Sequence, residues 1–68
     1  MATMKRQMEI IAREIAHFHN LGERVPALKH ETEPKIETLF RLGHLFGLHR
    51  GRLAAMAQAF VDEKEAAK

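Results

Sequence analysis

The sequence contains no cysteine and no serine. Without cysteine, the chain forms no disulfide and no thiolate zinc site, so packing alone must hold its fold. Serine and cysteine are also the usual catalytic nucleophiles, and the only hydroxyl side chains are those of Thr3, Thr32 and Thr38. The glycines follow no strand-like segment, so they do not predict a phosphate-binding loop. We therefore expect no catalytic residues and no enzyme activity.

Long hydrophobic runs are absent as well. No segment approaches the roughly 18 consecutive apolar residues of a membrane span, and the N-terminus lacks the apolar core of a signal peptide. The sequence therefore predicts a cytoplasmic protein with no membrane partner.

Histidine is frequent, with five in 68 residues. His17 and His19 are two positions apart and point away from each other on a helix, whereas His44 and His49 are five positions apart. Neither pair has the three- or four-residue spacing with which a helix presents two ligands to one metal ion. The sequence thus predicts no metal site and no cofactor.

Apolar residues recur every three or four positions near the N-terminus, which predicts a first helix over residues 3–21. Thr3 would cap its start, and Asn20 with Gly22 would end it. The apolar seam of this helix consists of Met4, Met8, Ile11, Ile15 and Phe18. Because 46% of the residues are hydrophobic, more than a small monomer is expected to hide, we expect the seam to form the interface of a homodimer.

The remaining sequence predicts two more helices, so the expected fold is all-α: a small three-helix domain spanning residues 1–68. Thr32 would cap the second helix, and Pro34 would occupy its first turn. The predicted order after the first helix is a connector at 22–33, a helix at 34–46, a turn at 47–49, a helix at 50–63 and a tail at 64–68. The buried face of the second helix would consist of Ile36, Leu39, Leu42 and Phe46.

Two glycines mark the junction between the second and third helices. Gly47 would supply the positive φ angle of a sharp turn, and Gly43 would be the small residue that lets the third helix approach closely. The wedge between the helices would be filled by Leu42, Phe46 and Leu48, and the inward face of the third helix by Leu53 and Met56.

With this pattern, residues 39–58 resemble the helix-turn-helix motif of phage and bacterial repressors. The resemblance implies a small dimeric DNA-binding regulator of transcription, of phage or plasmid type, whose third helix lies in the DNA major groove. It implies base contacts from Arg50, Arg52 and Gln58, methyl contacts from Ala54 or Ala55, and phosphate contacts from Arg41 and His49.

The distribution of charge favours the same interpretation. The whole chain has a net charge of only +2. Within residues 35–53, however, Lys35, Arg41, Arg50 and Arg52 face a single acidic residue, Glu37. A nucleic-acid contact requires such a local excess of positive charge.

Two alternatives remain open at this point. Gly43, Gly47 and Gly51 recur every four residues, so one uninterrupted helix through them would give a two-helix hairpin that forms a dimeric four-helix bundle. Apolar residues outside the seam favour a different function, that of a small helical interaction or inhibitor protein that binds another protein. These residues are Ile10, Leu21, Phe40 and Leu45, with Phe40 projecting away from the buried face of its helix.

Overall fold

The computed structural model of the chain describes residues 4–66, and it describes side chains from residue 5 to residue 63. Its helices are α1 (Met4–Arg24), α2 (Lys29–Leu45) and α3 (Arg50–Ala66), with a short 3₁₀ turn, Pro26–Leu28, between α1 and α2. The predicted all-α fold with three helices is confirmed. The hairpin of two long helices is wrong, because α2 and α3 are separate. Over the described residues, none of the helices is both long and apolar enough to cross a membrane.

The connector predicted at 22–33 is mostly helical. α1 continues to Arg24 and α2 begins at Lys29, so only residues 25–28 join the two helices. The 3₁₀ turn leads directly into α2, since the Lys29 N–H group donates to the Pro26 carbonyl. At the other end of the chain, residues 64–66 of the predicted tail continue α3, and residues 67 and 68 lie outside the described part.

Thr32 and Pro34 consequently lie inside α2 and not at its start. The Thr32 side chain is buried, at 4% exposed, and its hydroxyl donates to the Lys29 carbonyl at 3.2 Å. Pro34 has no N–H group to donate to the preceding turn, which costs α2 one backbone hydrogen bond. Because both residues are common near helix starts, the predicted start of this helix, residue 34, was later in the chain than the observed start at Lys29.

α2 runs back along α1. The Lys35 ammonium lies 5.4 Å from the centre of the Phe18 ring, and Gly22 faces Thr32 one step nearer the connection. A Cβ atom on Gly22 would lie only 2.9 Å from the Thr32 hydroxyl. Gly22 therefore permits a close approach between the helices, and it does not end α1 as predicted.

α3 packs against α1 and runs in the same sense. Along this contact Met8 lies beside the start of α3, while the Arg13 guanidinium lies 4.3 Å from the centre of the Phe60 ring. The core between the helices is formed by Ile11, Ala12, Ile15, Leu48, Leu53 and Ala57. Partly buried side chains of α2 and α3 complete it, namely Ile36, Leu39, Phe40, Met56 and Phe60.

The seam that was assigned to a dimer interface belongs to this core. Ile11 and Ile15 are only 6% and 5% exposed in the single chain, and Met8 packs against them. Met4 was predicted to extend the seam, but its side chain lies outside the described residues, as does Thr3. At Ile11 and Ile15 the three- and four-residue spacing serves packing within the single chain, and a homodimer interface on the rest of the seam stays a prediction.

α2 is also rotated relative to the prediction. Leu42 and Phe46 are 40% and 47% exposed and do not fill a wedge, whereas Leu48 is buried. Phe40, predicted to project outward, packs against the core. The reason is Gly43: a Cβ atom there would lie 2.8 Å from Leu53 Cδ2, so this side of α2 must face α3.

Candidate nucleic-acid interface

The turn between α2 and α3 is fixed by its backbone. Gly47 has a φ angle of 78°, the left-handed conformation that was predicted for it. Its N–H group donates to the His44 carbonyl at 2.9 Å, and the Leu48 N–H group donates to the Gly43 carbonyl at 2.8 Å. This pair of hydrogen bonds is the Schellman motif, which satisfies the last carbonyls of a helix and turns the chain sharply. Leu48 is thereby directed into the core.

His49 caps the start of α3. Its Nδ1 atom accepts a hydrogen bond from the Gly51 N–H group at 3.2 Å, and its carbonyl accepts the first helical bond from Leu53 at 2.9 Å. A side-chain acceptor at this position satisfies one of the N–H groups that a helix leaves unpaired at its start. The contact requires the neutral tautomer with an unprotonated Nδ1. Of the two ring nitrogens, Nε2 is thus the one left to face a ligand.

Arg50 is held within the chain. Its guanidinium donates to both carboxylate oxygens of Glu37, at 3.0 and 3.2 Å, and lies 4.3 Å from the centre of the Phe40 ring. The hydrogen bonds from Arg50, followed by its charge, lower the pKa of Glu37 despite some desolvation, and the charge of Arg41 adds a smaller effect. The same hydrogen bonds raise the pKa of Arg50. This bidentate pair ties the first turn of α3 to the middle of α2.

The outer face of α3 carries the other residues that were predicted to contact bases. Arg52, Ala54, Ala55 and Gln58 are all exposed, while Leu53 and Ala57 between them point into the core. The Gln58 amide nitrogen donates to the Asp62 carboxylate at 3.0 Å. This bond lies on the surface, so a ligand can replace it at little cost. The outer face offers one guanidinium and one amide on a nearly flat surface of small residues.

The start of α1 lies beside the same end of α3. Met8, Leu48, His49 and Arg52 line an open hollow of about 630 Å³. Lys5 is exposed on α1 about one helical turn before Met8. Arg41 is exposed on α2, and Arg50 at the start of α3 is paired with Glu37. Arg52 is therefore the guanidinium that lines the hollow.

The acidic residues nearest this region are already paired. Glu37 is bound by Arg50, and Glu9 lies 4.0 Å from Arg13 on α1. Over the described residues, no three histidine or carboxylate side chains come close enough to hold a metal ion. The surface around the start of α3 is consequently suited to an anion and offers no metal-binding cluster.

The sequence did not reveal the contacts that fix this surface. Glu37 and Arg50 are separated by 13 positions, and Met8 lies on another helix, so no local spacing pairs them. One signal was available: a glycine such as Gly43 marks the side of a helix that approaches its neighbour most closely. Applied to α2, that rule turns Phe40 inward and brings Glu37 toward the start of α3.

Comparison with protein-family models, with curated protein sequences and with solved structures finds no match to this chain. The functional interpretation therefore rests on the geometry and charge described above.

Proposed function

We propose that the protein is a small DNA-binding regulator of transcription, in which α2, the turn at 46–49 and α3 act as a helix-turn-helix with α3 in the major groove. One observation carries the proposal. The turn at Gly47 and the close contact between Gly43 and Leu53 fix α3, whose outer face exposes Arg52 and Gln58, while Arg41 is exposed on the preceding helix. A recognition helix needs this combination of rigid support and accessible side chains.

The exposed residues of α3 are assigned distinct roles. Arg52 contacts a guanine or a phosphate, Gln58 contacts an adenine, and Ala54 or Ala55 contacts a thymine methyl group. Arg41 and the Nε2 atom of His49 contact phosphates on either side.

Arg50 receives a different role from the one that the resemblance implies. Its guanidinium is engaged by Glu37 and covers Phe40, so a base contact would require it to give up a bidentate ion pair. In the proposal Arg50 is a positioning residue that fixes the angle of α3 relative to α2. Within the described part of the chain Arg52 forms no ion pair of this kind, and in the proposal it is the principal contact.

We further propose that the protein binds DNA as a homodimer on a two-fold site, since one short helix offers few contacts. The seam of Ile11 and Ile15 does not supply the interface, because it is buried within each chain. Sedimentation of the protein with and without DNA tests this part separately.

DNA binding is tested by fluorescence anisotropy with a labelled duplex of mixed sequence. We expect the affinity to fall more than about tenfold between roughly 50 and 200 mM salt, because phosphate contacts release bound counterions. Arg52→Ala should weaken binding by about 1–3 kcal/mol and leave the helix content unchanged.

Arg24→Ala is the matched control, since Arg24 is an exposed arginine at the opposite end of α1. It should leave the affinity nearly unchanged. Equal losses from both substitutions would show that binding depends only on overall charge, and affinity without salt dependence would contradict a phosphate contact altogether.

A further inference from the structure

The last two turns of α2 expose three large apolar side chains on one side. Leu42, Leu45 and Phe46 are 40%, 81% and 47% exposed, and their three- and four-residue spacing brings them together on the helix surface. We refer to these three residues as the α2 patch. Single exposed apolar residues are ordinary, but a contiguous group of this kind marks a surface that another molecule covers.

Phe46 differs from the other phenylalanines in how its ring is covered. The rings of Phe18, Phe40 and Phe60 each lie under a cation, from Lys35, Arg50 and Arg13 respectively. Among the described residues, no such cation lies over the Phe46 ring. The chain thus shields three of its aromatic rings with its own side chains and leaves the fourth open beside Leu42 and Leu45.

The side of the α2 patch near Leu45 carries basic side chains. Arg41, one turn before Leu45, and His44, directly before it, line an open hollow of about 450 Å³ together with Leu45, Phe40 and Arg50. Glu37, the acidic residue nearest to them on α2, is bound by Arg50. With two arginines and one carboxylate, the surface combines an apolar centre with an edge of net positive charge.

We propose that the α2 patch binds an acidic amphipathic helix of another protein. Leucine or phenylalanine side chains of that helix pack on Leu45 and Phe46, and its carboxylates face Arg41 and His44. This is helix-in-groove recognition, in which apolar anchors supply most of the affinity and charge complementarity selects the partner. The proposal rests on the α2 patch and shares only Arg41 with the proposed DNA contact.

A second copy of this chain fits the α2 patch less well. In a two-fold contact centred on Leu45, Arg41 of each copy would approach the turn of the other, where His49 lies. Arg41 would then face a neutral imidazole and no carboxylate, so this contact would lack charge complementarity. An acidic partner supplies the missing carboxylate.

The test uses three synthetic helical peptides of about 18 residues, each about five helical turns. The first has leucine at every third or fourth position and glutamate on both flanks of that stripe. The second replaces the glutamates by lysine, and the third replaces the leucines by alanine. Binding is measured by calorimetry, and the contact surface is mapped by NMR shifts of the labelled protein.

We expect the acidic leucine peptide to bind and to shift the resonances of the α2 patch. The lysine and alanine peptides should each bind at least about tenfold more weakly. Leu45→Glu should weaken binding of the acidic peptide by a similar factor. Because Leu45 is 81% exposed, this variant is expected to keep its fold, which circular dichroism checks.

Ile10→Glu is the matched control, because Ile10 is a large apolar residue that is 54% exposed on α1, away from the patch. It should change binding of the acidic peptide by less than about twofold. Equal binding of the acidic and lysine peptides, or an unchanged affinity in Leu45→Glu, would overturn the proposal. So would a duplex DNA that shifts the resonances of Leu45 and Phe46 as strongly as the peptide does, or a wild-type dimer that Leu45→Glu dissociates.

Discussion

Replacing Gly47 by alanine tests the turn between α2 and α3. At a φ angle of 78°, a Cβ atom crowds the following carbonyl oxygen, at a cost of about 1–2 kcal/mol. Relief of this strain by a change in the turn would remove Leu48 from the core. Withdrawing a side chain that is 3% exposed costs about 1.5–3 kcal/mol, and the hydrogen bonds of the turn would be lost in addition. The strained turn is therefore the cheaper outcome, and Gly47→Ala should destabilise the fold by about 1–2 kcal/mol.

Gly51→Ala provides the matched control. Gly51 lies in the first turn of α3, and an added Cβ atom would come no closer than 3.4 Å to the His49 ring, which is ordinary contact. This substitution should stabilise the fold by up to about 1 kcal/mol, because alanine is the better helix former.

Both variants are compared with wild type by urea denaturation followed through the helical circular dichroism signal. For a domain of this size, 1 kcal/mol also corresponds to a shift of about 4–8 °C in Tm. The reasoning would be refuted by a Gly47→Ala variant as stable as wild type, or by two glycine variants that shift stability in the same direction.

Two other predictions concern α2 and its contacts. Leu53→Ala should destabilise the fold by about 2–5 kcal/mol, because Leu53 is fully buried, whereas Leu42→Ala should cost less than about 1 kcal/mol. The same denaturation assay compares the two variants, and equal losses of stability would contradict the rotation of α2. Glu37→Gln should lower the stability of the fold at neutral pH. Because the pKa of Glu37 is lowered in the folded protein, its ionised form stabilises the fold above the ordinary pKa near 4.5. This stabilisation is lost as the pH falls through the lower folded pKa. Denaturation near pH 7 and near pH 3 should therefore show a difference from wild type that shrinks in acid, and a constant difference would indicate that the ion pair with Arg50 does not form.

The local features of the fold could be predicted from the sequence. The helical spacing around Ile11 and Ile15 predicted α1, and Gly47 predicted the break after α2, because both signals depend on residues a few positions apart. The close approach of α3 at Gly43 was also predicted, since a small residue before a turn marks such an approach. These features depend on backbone geometry that neighbouring residues largely determine.

The wrong predictions concern features that depend on packing between residues distant in the sequence. The predicted buried face of α2 included Ile36 and Leu39, which do pack against the core, but also Leu42 and Phe46, which are exposed. Because α2 carries apolar side chains on more than one side, hydrophobic spacing alone did not show that Phe40 replaces them. Likewise, the pairing of Glu37 with Arg50 follows only from the angle at which the turn sets α3.

The central claim is that the outer face of α3 contacts DNA. The most direct test is to titrate isotope-labelled protein with a short DNA duplex at low salt and to follow the backbone amide resonances by NMR. We predict that the largest shifts occur at Gly51, Arg52, Ala55 and Gln58, and that Glu31 at the opposite end of α2 stays unchanged. Shifts confined to α1 or to the α2 patch, with α3 unaffected, would contradict the account.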